Sequence, residues 1–157
     1  MTNNNEKHIK AAIAAASESI KQGGGPFGAV VVKDGKIVGR GVNSVTINND
    51  PTAHAEVNAI RDACANLNTF NLQGCTLYTS CEPCPMCLSA IYWARIDNYY
   101  YATTAKDASA AGFDDSFIKA EIVKPIEERA IKATQIMRDV ALEVFREWAE
   151  KTDKTEY

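Results

Sequence analysis

A three-layer α/β/α sandwich built on a mixed, five-stranded sheet is the fold class this sequence predicts. Two observations carry that reading. Short β-rich apolar runs alternate with stretches of helical spacing, in the order α-β-β-α-β-α-β-(α)-β-α. Asp34-Gly35 between two apolar runs marks a tight hairpin, so the first two strands pair antiparallel, and the later strand–helix–strand order predicts largely parallel pairing. The length of 157 residues, with 46% hydrophobic and 24% charged, fits one ordinary globular domain spanning residues 1–157.

Each element has its own signal. Ile9, Ala12, Ile13, Ala16 and Ile20 share one face of a helix over residues 6–22, which Gly23-Gly24-Gly25-Pro26 ends. Phe27 to Val32 is a valine-rich strand, and Lys36 to Val42 returns after the turn. Asp50-Pro51 reads as an N-cap followed by a first-position proline, opening a helix that runs to about Asn66 and carries His54. Cys75 to Thr79 is a short strand, and Pro85 opens a helix to about Ala94. Asn98 to Thr103, with three tyrosines, is the next strand. Residues 105–132 read as irregular with short helical pieces, and Thr134 to Met137 supplies the fifth strand. Val140, Val144, Phe145 and Trp148 make one face of a last helix, followed by a polar tail.

Composition excludes several classes. No apolar run approaches the ~20 residues of a membrane span. The polar start, Met1-Thr2-Asn3-Asn4-Asn5, lacks a signal-peptide pattern, and three of five cysteines crowd into seven residues, which suits metal binding in a reducing cytoplasm better than a disulfide framework. Net charge is −3, and lysines and arginines are scattered without a run of three, so a nucleic-acid partner is not expected.

The chemistry lies in His54-Ala55-Glu56 and, thirty positions on, Pro83-Cys84-Pro85-Met86-Cys87. One imidazole and two thiolates give three ligands for Zn2+, leaving the fourth position open to water. Cys84 precedes Pro85 at a helix start and Cys87 follows one turn later, so both thiols feel the positive end of the helix dipole. Glu56 stands two residues from His54, beside the metal rather than on it, where a carboxylate can move protons as a general base. Activated hydroxide would attack an amidine-like carbon, and Glu56 would return the proton to the ring nitrogen and the departing ammonia. This is the H-x-E…P-C-x-x-C pattern of nucleobase deaminases. The competing reading is a closed structural zinc site in which Cys81 joins His54, Cys84 and Cys87; it leaves Glu56 without a role.

Other residues carry weaker signals. Cys64 and Cys75 read as small core hydrophobes, and His8 as a solvated surface residue. Trp93 reads as core or interface filler ahead of a ligand contact, Asn43 as a turn residue or a binding group, and Phe27 as core or a stacking wall.

Taken with Gly25-Pro26-Phe27-Gly28-Ala29-Val30, Tyr78-Thr79-Ser80-Cys81-Glu82, Ile91-Tyr92-Trp93-Ala94-Arg95, Ala111-Gly112-Phe113-Asp114-Asp115-Ser116-Phe117-Ile118 and Glu156-Tyr157, these motifs make the chain resemble the cytidine deaminase superfamily. Within it, the chain is similar to the small bacterial guanine deaminases over nearly its whole length; the Phe-Asp-Asp segment and the terminal tyrosine are the more discriminating marks. The resemblance implies hydrolysis of guanine to xanthine and ammonia, with zinc on His54, Cys84 and Cys87 and Glu56 as proton shuttle. It further implies that Asn43 hydrogen-bonds the purine, Phe27 stacks on it, and Asp115 contacts the leaving amino group. It implies a homodimer in which the segment from about residue 139 to 157 is swapped, Trp93 and Tyr157 helping to close the partner's site. Rival readings are the same chemistry on cytosine, adenine or tRNA adenosine.

Overall fold

The structure, a computed structural model, describes residues 2–157. It divides into two compact units, a first running through Asp115 and a second, Ser116–Tyr157.

The first unit is built on a sheet of four strands: β1 (Gly28–Lys33), β2 (Lys36–Val42), β3 (Cys75–Cys81) and β4 (Asn98–Thr103), in the order β2-β1-β3-β4. β1 runs antiparallel to both β2 and β3, and β3 is parallel to β4. The hairpin turn is as expected: Asp34 and Gly35 both take positive φ, at 50° and 75°, the pairing that a two-residue turn needs to match strand twist. β1 is buried on both faces. Val30 and Val32 pack with Ala12 of helix α1 (Thr2–Lys21), and Ala29 and Val31 pack with Ala55, Ala59 and Ala63 of α3 (Ala55–Leu67). Helices on both sides of a strand that is apolar throughout make the three layers. α3 lies close on β2. A Cβ on Gly41 would sit 2.0 Å from the carbonyl oxygen of Ala55, so only glycine admits the helix at that distance.

Short elements complete this unit: α2 (Val45–Asn48), α4 (Pro85–Trp93) and α5 (Ala105–Ala110). α5 begins with a capping box in which Thr104 and Asp107 satisfy each other's backbone N–H groups. The second unit holds α6 (Ser116–Ile122), a 3-10 turn at Ile126–Glu128 and α7 (Arg138–Glu150).

Three expectations fail. The sheet has four strands, not five, because Thr134 to Met137 forms no ladder among the described residues. Met137 takes φ 54°, which breaks an extended run and turns the chain into α7. Asp50 is not a helix N-cap. Its carboxylate accepts from the Thr52 backbone N–H at 2.8 Å and the Thr52 hydroxyl at 2.7 Å, forming a local turn, and α3 starts four residues later than this pair predicts. His8 is not a surface residue. It is 2% exposed, with its ring 5.1 Å from that of Tyr78, because it lies on the face of α1 that covers the sheet.

Candidate active site

Two helix starts meet here. His54 is the N-cap of α3 and Cys84 the N-cap of α4, both in extended backbone conformation and neither using its side chain to cap. The ring and the thiol are therefore available to each other. Pro85 fixes the first position of α4 and places Cys87 one turn along. The Nδ1 of His54 lies 3.5 Å from the Cys84 sulfur and 3.4 Å from the Cys87 sulfur. A tetrahedral zinc with sulfur at about 2.3 Å and nitrogen at about 2.0 Å needs N···S edges of about 3.5 Å, so both N···S edges already have the length that tetrahedron requires. Among the described residues these three form the cluster able to hold a metal ion, with all ligand atoms within 4.8 Å of one another. Cys81 is elsewhere: its thiol donates to the Thr104 carbonyl at 3.6 Å. The set is three protein ligands, the number that leaves a position open.

The charges fit a cation. Cys84 is held down to about 4, first by the S–H of Cys87 and then by His54. Cys87 is pushed up, because its proton is shared with the Cys84 sulfur and the site is buried. The His54 imidazole is pushed up by its hydrogen bond with Cys84 and by the negative charge of Cys84 and Glu56. An anionic nest at two helix N-termini, with protons to give up, is a donor set for a divalent ion.

Glu56 is buried, 6% exposed, and sits in the first turn of α3. Its Oε2 is 3.4 Å from the Cys87 sulfur, and its Oε1 accepts from the Thr79 hydroxyl at 3.3 Å. Burial is the main cause that pushes its carboxyl up toward the proton-holding form, which suits a group that must both take and return a proton.

Asn43 follows the end of β2 and precedes Ser44, whose N–H donates to the Ala53 carbonyl, so this residue and His54 are tied to neighbouring points. Asn58 reinforces the tie by donating to the Val42 and Ala53 carbonyls and the Ser44 hydroxyl. The Asn43 carboxamide oxygen accepts from the backbone N–H groups of Gly25 and Val45, both at 3.3 Å. The end left to offer a ligand is its NH2. Ser19, fully buried on α1, donates to the Asn43 carbonyl at 2.9 Å, and Gly24 has no room for a Cβ between them. Phe27 packs edge-to-face on Phe113, ring centroids 4.9 Å apart.

The other expected residues belong to other parts of the chain. Trp93 ends α4, about 9 Å along the helix from Cys87, and is 64% exposed. It lines a shallow depression of about 360 Å³ with Ser89, Tyr92 and Arg95, which contains none of the metal set. Asp115 is half-buried in the stretch after α5, and Tyr157, 73% exposed, lies in the second unit. Thr79 and Ser19 were missed by sequence reasoning. A threonine in a strand and a serine in a helix carry no signal until the fold shows what their hydroxyls face.

The pattern described as the cytidine and deoxycytidylate deaminase zinc-binding region matches residues 2–103, which include all three ligands and Glu56. The chain belongs to that deaminase family. Among members of the family, guanine deaminase of Bacillus subtilis (strain 168) is 55% identical over 98% of this chain and 99% of its own length. The X-ray structure of guanine deaminase from Bacillus subtilis matches with a TM-score of 0.94, covering 97% of this chain and 98% of that one. A tRNA-specific adenosine deaminase of Aquifex aeolicus is 43% identical over 64% of this chain and 67% of its own length. Membership gives the His/Cys/Cys cluster its ion: this deaminase region is a zinc-binding one.

Proposed function

We propose that this protein is a guanine deaminase, converting guanine and water to xanthine and ammonia. The observation that carries it is the 55% identity, end to end, with a relative named for that activity, joined to a three-ligand metal site with a buried carboxylate beside it. The zinc, when bound, supplies a Lewis acid that makes a water acidic enough to yield a nucleophile near neutral pH.

The chain's own residues do the rest. His54, Cys84 and Cys87 hold the metal. Glu56 accepts one proton from the attacking water and delivers it to the ring nitrogen, then moves the second proton, from the new hydroxyl, to the amino group, which leaves as ammonia as the carbonyl forms. Asn43, its oxygen committed to Gly25 and Val45, presents two N–H donors suited to a purine's carbonyl and unprotonated ring nitrogens. Phe27, steadied by Phe113, is a wall for the flat base. Asp115 is assigned to the amino group that leaves.

The working unit is a homodimer with residues 139–157 swapped onto the partner, Trp93 and Tyr157 helping to close the partner's site. The exposure of the apolar stripe of α7 supports this: Val144 is 65% and Phe145 70% exposed, an uncovered face that a second chain would bury. We place the protein in the cytoplasm; no helix among the described residues is long and apolar enough to cross a membrane.

The test is ammonia release by the zinc-loaded protein across guanine, cytosine, adenine, their nucleosides and a tRNA anticodon stem, with the product identified by its ultraviolet spectrum. Guanine should be the preferred substrate and yield xanthine. Preferred turnover of the tRNA adenosine would overturn the assignment in favour of the editing enzymes.

A further inference from the structure

We propose that Thr79 is the positioning residue for the Glu56 carboxylate: its hydroxyl fixes Glu56 in the orientation from which the proton is moved. The inference rests on Glu56 being the proton carrier in the reading above.

Thr79 lies in β3, between Ala29 of β1 and Tyr101 of β4, so its backbone is held in a ladder on both sides. Side chains alternate along a strand, and Thr79 points to the same face as Cys75 and Leu77. Those two belong to the core cluster under α3 that includes Ala55 and Ala59. A hydroxyl on that wall, 1% exposed, is costly unless it is paired. Valine would fill the space as well and carry no such cost. The pairing found is with Oε1 of Glu56, at 3.3 Å.

Among the described residues two side chains reach the Glu56 oxygens, the Thr79 hydroxyl at Oε1 and the Cys87 thiol at Oε2. They are not equivalent. A cysteine that ligates zinc does so as thiolate and has no proton left to donate. In the metal-loaded protein the Thr79 hydroxyl is the side-chain donor that remains. Its β-branched side chain has a restricted χ1, and its backbone cannot shift without breaking two ladders, so it is a stiff anchor for a longer, softer glutamate. Its hydroxyl bonds Glu56, and at 1% exposure the side chain offers no surface to a substrate. Its contribution should therefore fall on turnover rather than on binding.

Three variants of the zinc-loaded protein test this. Thr79→Val should lower kcat about 10- to 100-fold with KM little changed, since misplacing a catalytic group is costly while the pocket is intact. Thr79→Ser, which keeps the hydroxyl and loses the methyl, should recover most of kcat. Unaltered kcat in Thr79→Val overturns the proposal, as does an equal loss in both variants, which would assign the effect to packing. The second measurement is urea unfolding of a double-mutant cycle with Glu56→Met. Removing the hydroxyl should cost stability when Glu56 is present and cost nothing when it is absent, a coupling of about five- to tenfold in the unfolding constant. Additive effects overturn the proposal whatever the substrate proves to be. Failure of the parent protein to deaminate guanine would sink the substrate assignment instead, and the cycle would still decide the role of Thr79.

Discussion

The Nδ1 atom of His54 stands 3.4 Å from the sulfur of Cys87, thirty-three residues away in the chain, and neither group has to move for both to reach one ion. The contact is made by two helix starts, so the metal set is organised by the fold before a metal arrives. Cys87 holds its proton tightly and His54 is pushed up, whereas Cys84 sits near 4. Zinc must displace those held protons. Its affinity should rise with pH between 6 and 8, by about tenfold per unit for each proton released. Competition with a chelator at several pH values measures this, and a flat profile would show that the groups are already deprotonated. In the same assay Cys87→Ser should lose zinc on dialysis while Cys81→Ser keeps one ion per chain. Loss from both would restore the closed, four-ligand reading.

The role of Glu56 separates from that of the ligands. It is buried beside the cluster and is not one of the three groups that define it. Glu56→Ala should retain a full complement of zinc and lose turnover by about 10²- to 10⁴-fold, the usual worth of a positioned proton-transfer group. Zinc content by elemental analysis and ammonia release on the same sample decide it. Turnover near the parent level would remove Glu56 from the mechanism.

The metal set was legible because its signals are local: a proline that fixes a helix start, a one-turn cysteine spacing, a histidine two residues from a glutamate. Strand β2 and strand β4 were legible to the residue for the same reason, each being a β-rich run between clear breaks. What failed depended on distant partners. Asp50-Pro51 has the chemistry of a helix start, but the Asp50 carboxylate found Thr52 first, and His54 became the cap instead. Thr134 to Met137 has strand composition, yet a strand exists only where a neighbour offers an edge. His8 stands four residues before Ala12 and so shares its face of α1; the buried face runs through His8, Ala12 and Ala16, while Ile13 and Ile20 are exposed. Thr79 and Ser19 were invisible because a hydroxyl's role is set by what it faces.

The swapped-tail reading makes a prediction that ordinary mutagenesis does not. Deleting Tyr157 should impair guanine turnover, and so should Glu56→Ala, but for different reasons: one chain lacks a lid and the other a proton carrier. If each lid serves the other subunit, a mixed dimer of the two variants contains one site with both parts intact. Unfolding and refolding the two inactive variants together should then restore activity that neither has alone. Sedimentation would show a particle of twice the 17.1 kDa chain mass. A monomer, or a mixture as inactive as its parents, would place the tail on its own chain.

His8 offers a prediction about stability instead of turnover. Its ring is buried, neither nitrogen has a hydrogen-bond partner among the described residues, and the groups against it are the neutral rings of Tyr78 and, behind that, Tyr100. Burial lowers its pKa below the ordinary 6.5, and the charge of Lys7 next to it acts in the same direction. The unfolded chain therefore binds a proton more readily than the folded one. The contribution of the neutral ring is complete above about pH 6.5 and is lost as the pH falls through the lowered folded value. Urea midpoints measured from pH 7.5 down to 5 should decline in the parent protein. His8→Phe keeps an aromatic ring against Tyr78 and has nothing to protonate, so its midpoints should decline less over the same interval. Parallel curves for the two proteins would mean that the acid sensitivity of α1 has another source.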